Sequence, residues 1–195
     1  MQQLEAALIE AARSDSQAFA ELVVRYQDRL YNYLYRMTGS REDAQDLTQE
    51  AFVLVYKALP RFNLEAPFRP WLYKIATNLA INQLKGRKPA VVLEEYVPSR
   101  SMDDSPERQV ETHEVQRIIA AAIAELPDTY RPVVLMRHIE ELSYDEIGKA
   151  LDLPVGTVKV RLHRARAALQ GKLAAAGLHQ AAASLPDAQK ATVTQ

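Results

Sequence analysis

From Phe19 to Met37 the residues Phe19, Leu22, Val23, Tyr26, Leu30, Tyr33, Leu34 and Met37 place apolar groups at three- and four-residue intervals. That period marks one face of an α-helix, whereas a half-buried strand alternates every two residues. Ser14 and Asp15 are suitable caps before the run, and Gly39 ends it. The same period then resumes after each stop signal. Ser40-Arg-Glu-Asp43 reads as a capping-box variant opening a second helix, with Leu47, Ala51, Phe52, Leu54 and Val55 inward. Pro60 stops that helix, and the stretch Arg61 to Arg69, holding Pro67, is irregular. Pro70 suits the first turn of the next helix, which carries Trp71, Leu72, Ile75, Ala76, Leu79 and Leu84 and closes near Gly86. The expected fold class is all-α.

From Arg87 to about Arg108 the periodicity lapses. Pro89, Pro98 and Pro106, with Glu94-Glu95, Asp103-Asp104 and several serines, mark a linker, within which only Val91 to Leu93 suits a short extended piece. Ser105-Pro106-Glu107 makes a good helix start: cap, first-turn proline, acid near the positive end of the helix dipole. Helix continues to about Glu125, Pro127 interrupts it, and another helix runs to about Glu140. A chain of 195 residues suffices for one ordinary domain or two small ones. The lapse favours two small helical domains, 1–88 and 111–176, joined by a flexible acidic linker at 89–110. The Ala-, Gln- and Ser-rich end, 177–195, is expected to be disordered or loosely helical.

The C-terminal half holds the most diagnostic segment. Ser143-Tyr-Asp-Glu146 is a capping box, followed by a short helix with Ile147, Ala150 and Leu151 on its apolar face. Asp152-Leu153-Pro154 forces a turn. A second helix then begins at Val155-Gly156-Thr157-Val158, with Val155, Val158, Leu162, Ala165 and Leu169 on one side and Lys159, Val160, His163, Arg164 and Arg166 projecting elsewhere. From Val155 to Ala175 there are five bases, Arg161 among them, and no acid. A capped helix, a tight turn and a basic amphipathic helix make a helix-turn-helix. Its second helix fits the major groove, where early residues meet base edges and cations meet phosphates or guanine.

Charge is distributed unevenly behind a net value of −1. Lys57 to Lys88 carries seven bases against one acid, and Pro89 to Glu114 carries seven acids against two bases. Two basic segments flanking an acidic one suggest two small, directed polyanion-binding surfaces rather than a general nucleic-acid coat. In the first of these, Phe62, Phe68, Trp71 and Tyr73 are interleaved with Arg61, Arg69, Lys74, Lys85, Arg87 and Lys88, and Asn78, Asn82 and Gln83 add amides. Aromatic faces stack on unpaired bases while cations follow the backbone, which suits single-stranded DNA. Trp71 and Leu72 are better read as helix core, whereas the basic cluster as a whole is not. Just upstream, Asp43, Asp46 and Glu50 recur at three- and four-residue spacing, forming one polar face; on spacing alone this is an ordinary solvated face.

Several function classes fall away. The chain has no Cys, which excludes disulfides, Cys-based zinc sites and redox thiols. Its four histidines are dispersed, and no Gly-rich phosphate loop or nucleophile–base pair accompanies the acids, so no catalytic residue, metal site or cofactor is expected. Glu5 and Glu10 lie where a signal peptide would be basic and then apolar, and no stretch approaches the roughly 18 apolar residues of a membrane span. A cytoplasmic location without direct membrane insertion is expected.

Four segments, in this order, resemble the extracytoplasmic-function (ECF) sigma factors of the sigma-70 family, close to the envelope-stress members. They are Asp43-Ala-Gln-Asp-Leu-Thr-Gln-Glu-Ala-Phe52, Trp71-Leu-Tyr-Lys-Ile-Ala-Thr-Asn-Leu79, Leu126-Pro-Asp-Thr-Tyr-Arg-Pro132, and Leu142-Ser-Tyr-Asp-Glu-Ile-Gly148 continuing to Pro154-Val-Gly-Thr-Val-Lys159. Order and spacing match over about residues 15 to 175. The resemblance implies a factor that binds core RNA polymerase through its β′ clamp helices and β flap and directs promoter-specific initiation without catalysing a reaction. Asp43, Asp46, Gln49 and Glu50 would dock on the clamp helices. The loop Asn63, Leu64, Glu65, Ala66, Pro67, Phe68 resembles the one that captures a flipped base of the −10 element. Tyr73, Asn78 and Asn82, with Lys85, Arg87 and Lys88 beyond them, would line the melted strand. Thr157, Lys159, Val160, Arg161, His163, Arg164 and Arg166 would serve the −35 element, with Arg137 on a phosphate. The linker would thread toward the RNA exit path. The family's usual regulator, an anti-sigma factor that is often membrane-anchored, is implied as a partner that would hold the protein at the inner membrane. The loop departs from the commoner glycine-containing versions, which leaves its base preference open.

Residues 126–172 alone would also permit a plain helix-turn-helix regulator with an N-terminal sensing domain. That alternative has no explanation for the Asp43–Phe52 motif. A nuclease built on Asp43, Asp46 and Glu50 lacks the accompanying ligands. A non-initiating adaptor of the same fold remains open at this point.

Overall fold

The structure is a computed structural model that describes residues 2–86, 115 and 117–178. The segments assigned to the linker, the helix start at Ser105, Arg87, Lys88 and residues 179–195 lie outside the described residues. Everything regular among the described residues is helical.

The N-terminal half begins with α1 (Gln2–Ala11) and the long α2 (Ser16–Thr38). Asp15 caps α2, its carboxylate accepting from the Gln17 N–H at 2.8 Å. Gly39 ends α2 in the left-handed region at φ 74°, where a glycine has no Cβ to strain, and its N–H closes on Tyr35 O. Ser40 immediately caps α3 (Arg41–Ala58), so the chain reverses within two residues and α3 packs back on α2. A short 3₁₀ turn, Leu59–Arg61 with Pro60 in it, leads to the irregular loop and to α4 (Phe68–Lys85).

The interlocking face of this half is aromatic. Tyr33 meets Tyr73 edge-on at 5.0 Å, and its hydroxyl bonds to Thr77 Oγ1 at 2.7 Å. Tyr26 lies 5.4 Å from Phe68, and Phe62 packs on Trp71 at 4.6 Å. Rings of this size bury much apolar surface and hold each other by edge-on and tilted contacts, so α2 and α4 are fixed in register.

The C-terminal half comprises α5 (117–124), α6 (Arg131–His138), α7 (Tyr144–Leu151) and α8 (Val155–Ala175). Arg131 organises its start. The buried guanidinium donates to Ile123 O (3.3 Å) and Leu126 O (2.9 Å), carbonyls in the last turn of α5 and just beyond it. It also reaches Met37 O at 2.6 Å, at the end of α2 in the other half.

The two halves touch through α4 and the α6–α7 junction. Glu140, only 4% exposed, accepts from the Tyr73 hydroxyl, and its backbone carbonyl accepts from Arg69 Nη2 at 2.5 Å. Arg69 also pairs with its carboxylate at 3.6 Å, and Lys74 pairs with Asp152 at 2.7 Å. Burial pushes the Glu140 pKa up, against the opposing pull of the Tyr73 hydrogen bond and of Arg69, Arg29 and Arg36.

Candidate polymerase and nucleic-acid interfaces

The acidic face of α3 is narrower than its spacing suggested. Asp46, Gln49 and Glu50 are exposed and run along the helix into exposed Val53, Leu54 and Tyr56. Asp43 faces inward at 4% exposure, where Gln83 Nε2 of α4 donates to its Oδ1 at 3.0 Å. Asp43 thus ties α3 to α4 instead of sharing the outer carboxylate face. Its position four residues before Leu47 and eight before Ala51 puts it on the apolar stripe.

The loop between the 3₁₀ turn and α4 is a built turn. Asn63 Oδ1 accepts from the Glu65 N–H at 3.0 Å, and Asn63 O accepts from the Ala66 N–H at 2.9 Å. Asn63 and Glu65 are exposed, Leu64 and Ala66 half-buried. Phe68 differs from its six-residue grouping: it opens α4 and points into the core, 4% exposed, against Tyr26, Phe62 and Trp71. It supports the loop from beneath.

Along α4, Asn78, Asn82 and Lys85 lie on the outer surface. Tyr73 does not. It is 1% exposed, its ring against Tyr33 and its hydroxyl on Glu140. In this arrangement of the halves Tyr73 is out of reach of a DNA strand.

The α7–α8 unit has the geometry of a helix-turn-helix. The Ser143–Glu146 capping box is complete, with the Glu146 N–H donating to Ser143 Oγ at 3.2 Å and the Ser143 N–H to Glu146 Oε2 at 2.8 Å. Asp152 adopts the left-handed region at φ 52° to end α7. The turn folds back so tightly that a Cβ on Gly148 would stand 2.8 Å from Leu153 O. From α8, Lys159, Val160, His163 and Arg164 face solvent, with Thr157 and Arg161 half-buried beside them; Arg161 Nη1 donates to Thr129 O at 3.4 Å. Arg137 donates to Leu142 O at 3.1 Å and lies 5.2 Å above the Tyr144 ring, with Lys159 5.9 Å from the same ring. Tyr144 therefore gathers one cation from α6 and one from α8 on its faces.

Arg166 is placed differently from the projecting set in which the sequence put it. It is 7% exposed, with Nη2 3.5 Å from His138 Nε2. Position 166 follows Leu162 by four and precedes Leu169 by three, so it belongs to the buried stripe. His138 responds: burial, then the charges of Arg166 and Arg137, push its pKa down to about 4. The imidazole is neutral near pH 7 and can accept from Arg166.

No group of three or more His, Cys, Asp or Glu among the described residues could hold a metal ion, and no described helix is long and apolar enough to cross a membrane.

Two family models match the chain, Sigma-70 region 2 over residues 22–89 and Sigma-70 region 4 over residues 116–169. The ECF RNA polymerase sigma factor SigW of Bacillus subtilis is 40% identical over 171 residues, spanning 83% of this chain and 91% of the relative. The chain belongs to the ECF RNA polymerase sigma factors. The ECF sigma-E factor of Escherichia coli is 36% identical over 171 residues, 83% of this chain and 89% of its own length. Among solved structures, CnrH in complex with the cytosolic domain of CnrY aligns at TM-score 0.67 and 27% identity over 87% of this chain and 97% of that one. RpoE of Bartonella quintana, in complex with the anti-sigma factor NepR, shares the fold at TM-score 0.65 and 17% identity, over 80% and 96% of the two chains.

Within this sigma factor the region 2 match takes in most of the N-terminal helical half, from within α2 onward, and the region 4 match most of the C-terminal one. Sequence reasoning missed the residues that join them: Glu140, Arg131, and the pairing of Lys74 with Asp152. The one local signal was an acid, Glu140, just after the apolar Ile139 that follows the end of a helix. Nothing in the spacing named its partners, which lie 71 and 67 residues away.

Proposed function

We propose that this sigma factor binds core RNA polymerase and directs it to promoters by reading two DNA elements with its two halves. The observation that carries this reading is that one chain presents two outward faces of different chemistry. One is the carboxylate–apolar strip of α3 (Asp46, Gln49, Glu50, then Val53 and Leu54), and the other is the cationic face of α8.

The α3 strip fits a basic partner surface, with apolar side chains to bury at its end; the clamp helices of the β′ subunit are the partner it would take, with the β flap holding the C-terminal half. On α8, Lys159, His163 and Arg164 supply donors for guanine edges and phosphates, and half-exposed Val160 supplies an apolar contact for a thymine methyl. Arg137, held by Leu142 O and Tyr144, stands where a phosphate would pass. Thr157 at the start of α8 and Arg161 frame that face. In the N-terminal half the loop 63–67 takes the flipped −10 base, while Asn78, Asn82 and Lys85 follow the unpaired strand.

The packed halves put a condition on this. Tyr73 joins the strand-lining surface only after Glu140 releases it, so engagement of the −10 element requires the halves to part. An anti-sigma factor that favours the packed arrangement would hold the protein inactive.

With few exposed cations on each half, the isolated chain binds promoter DNA weakly, and joint docking on polymerase raises the effective concentration of each half at its element. The test is a mobility-shift titration of promoter fragments with the chain alone, with core polymerase alone, and with both. Sequence-selective complexes appearing only with both support the reading. Selective binding by the chain alone at physiological salt would favour a plain helix-turn-helix regulator.

A further inference from the structure

The −10 loop has a wall that neither family segment includes. A cleft of about 510 Å³ lies between the loop and α1, a size within the range of roughly 300–1,000 Å³ common for small-ligand sites. One side is the loop itself, residues 64–67, over Phe62 and Phe68; the other is Glu5, Ala6 and Ile9 of α1. The Sigma-70 region 2 match begins only at residue 22, so α1 stands outside it.

Contacts from the N-terminal segment fix both the wall and the loop. Arg13, in the turn after α1, donates through Nη2 to the carbonyl of Phe62, the residue from which the loop departs. Glu5 accepts from the hydroxyl of Tyr26, whose ring supports Phe68 beneath the loop. Ile9 and Ala12 are buried and seat α1 on the core, whereas Ala6 is exposed at the mouth of the cleft. Loop, wall and floor are thus one unit of the N-terminal half. The remaining contributions are Arg69 of α4, which also holds Glu140, and Glu146 of α7, which leaves with the C-terminal half when the halves part.

The geometry points to α1 as part of the −10 reading site: its Glu5–Ala6–Ile9 face forms the far wall of the cleft that receives the unstacked base, and Arg13 is a positioning residue that holds the loop against that wall. This rests on the proposed role of the loop and extends it. An unstacked base is read by a pocket that confines its ring and meets its edge. A loop with a wall only on its own side would confine less. The carboxylate of Glu5 adds a fixed acceptor on the α1 side, suited to an exocyclic amino group.

The test uses the full chain with core polymerase on promoter fragments carrying each of the four bases in turn at every −10 position, and a parallel set varied in the −35 element. Wild type should discriminate at one −10 position by roughly five- to hundredfold, the ordinary loss for one mismatched base. Ala6→Trp fills the cleft from an exposed position and should flatten that preference to within about twofold while −35 discrimination stays intact. Arg13→Ala should flatten it likewise, and Arg13→Lys should restore part of it. If wild type discriminates and Ala6→Trp discriminates equally, α1 is not a wall of the site and this inference fails while the loop's role stands. If both elements lose discrimination together, the variant has a general defect and the assignment to α1 is overturned. If wild type shows no preference at any −10 position, the loop's role itself fails, and this inference with it.

Discussion

Asp43 and Asp46 are three residues apart and carry the same charge, yet they do opposite work. Asp46 faces solvent, while Asp43 accepts a hydrogen bond from Gln83 inside the N-terminal half. Asp46→Arg should therefore lower affinity for core polymerase by about tenfold or more, the scale of a misplaced interfacial charge, without moving the melting temperature. Asp43→Ala should do the reverse and cost about 0.5–1.5 kcal/mol of stability, the net worth of the hydrogen bond from Gln83, whose exposed amide water can then satisfy. Affinity measured by fluorescence anisotropy and stability by thermal unfolding separate the two; equal behaviour of both variants would contradict the assignment. His138 adds a pH term. Its pKa is held at about 4 when folded, against an ordinary 6.5, so the unfolded chain binds a proton that the folded chain does not. This group lowers stability progressively as pH falls from about 6.5 toward 4, and below that its contribution is constant. His138→Gln should shrink the drop in melting temperature between neutral pH and about pH 5. An unchanged drop would place the acid sensitivity elsewhere.

At the level of helices, caps and periods were legible in the sequence: Asp15, Gly39, Ser40 and the Ser143–Glu146 box all occur where their chemistry indicated. Ser143→Ala should accordingly cost about 0.5–2 kcal/mol, read from urea unfolding, because it removes one half of that box. Charged residues were harder to place. Asp43 and Arg166 both occupy apolar-stripe positions, and a charge on a stripe reads as exposed when residue type is weighed above period. Phe68 and Tyr73 are the aromatic counterpart. Their rings suit base stacking, yet the register that sets Leu72 and Ala76 inward also carries Phe68 and Tyr73 into the core. What stayed illegible depends on tertiary packing. No local pattern announces that Arg13 reaches Phe62 or that Tyr144 gathers Arg137 and Lys159.

Across the whole molecule, the junction of the halves turns on one acid. Glu140 is buried among Tyr73, Arg69 and the fields of Arg29 and Arg36, so removing its carboxylate strands the Tyr73 hydroxyl and leaves these guanidinium groups without the charge that faces them. Glu140→Ala should loosen the packed arrangement. The chain has no Cys, so single cysteines placed at exposed Gln45 and Gln170 would carry a dye pair without competing labels. Energy transfer between them should fall in the Glu140→Ala chain, and should fall in wild type when core polymerase is added. Transfer that stays constant in both cases would mean that the halves remain packed and that Tyr73 never reaches DNA.

If this chain confers promoter choice on polymerase, run-off transcription on a pool of promoter fragments, with start sites mapped, should give discrete transcripts only when chain and core polymerase are combined. Arg164→Ala should weaken those that depend on the −35 element. Transcripts identical to those of core polymerase alone, or none, would contradict that role.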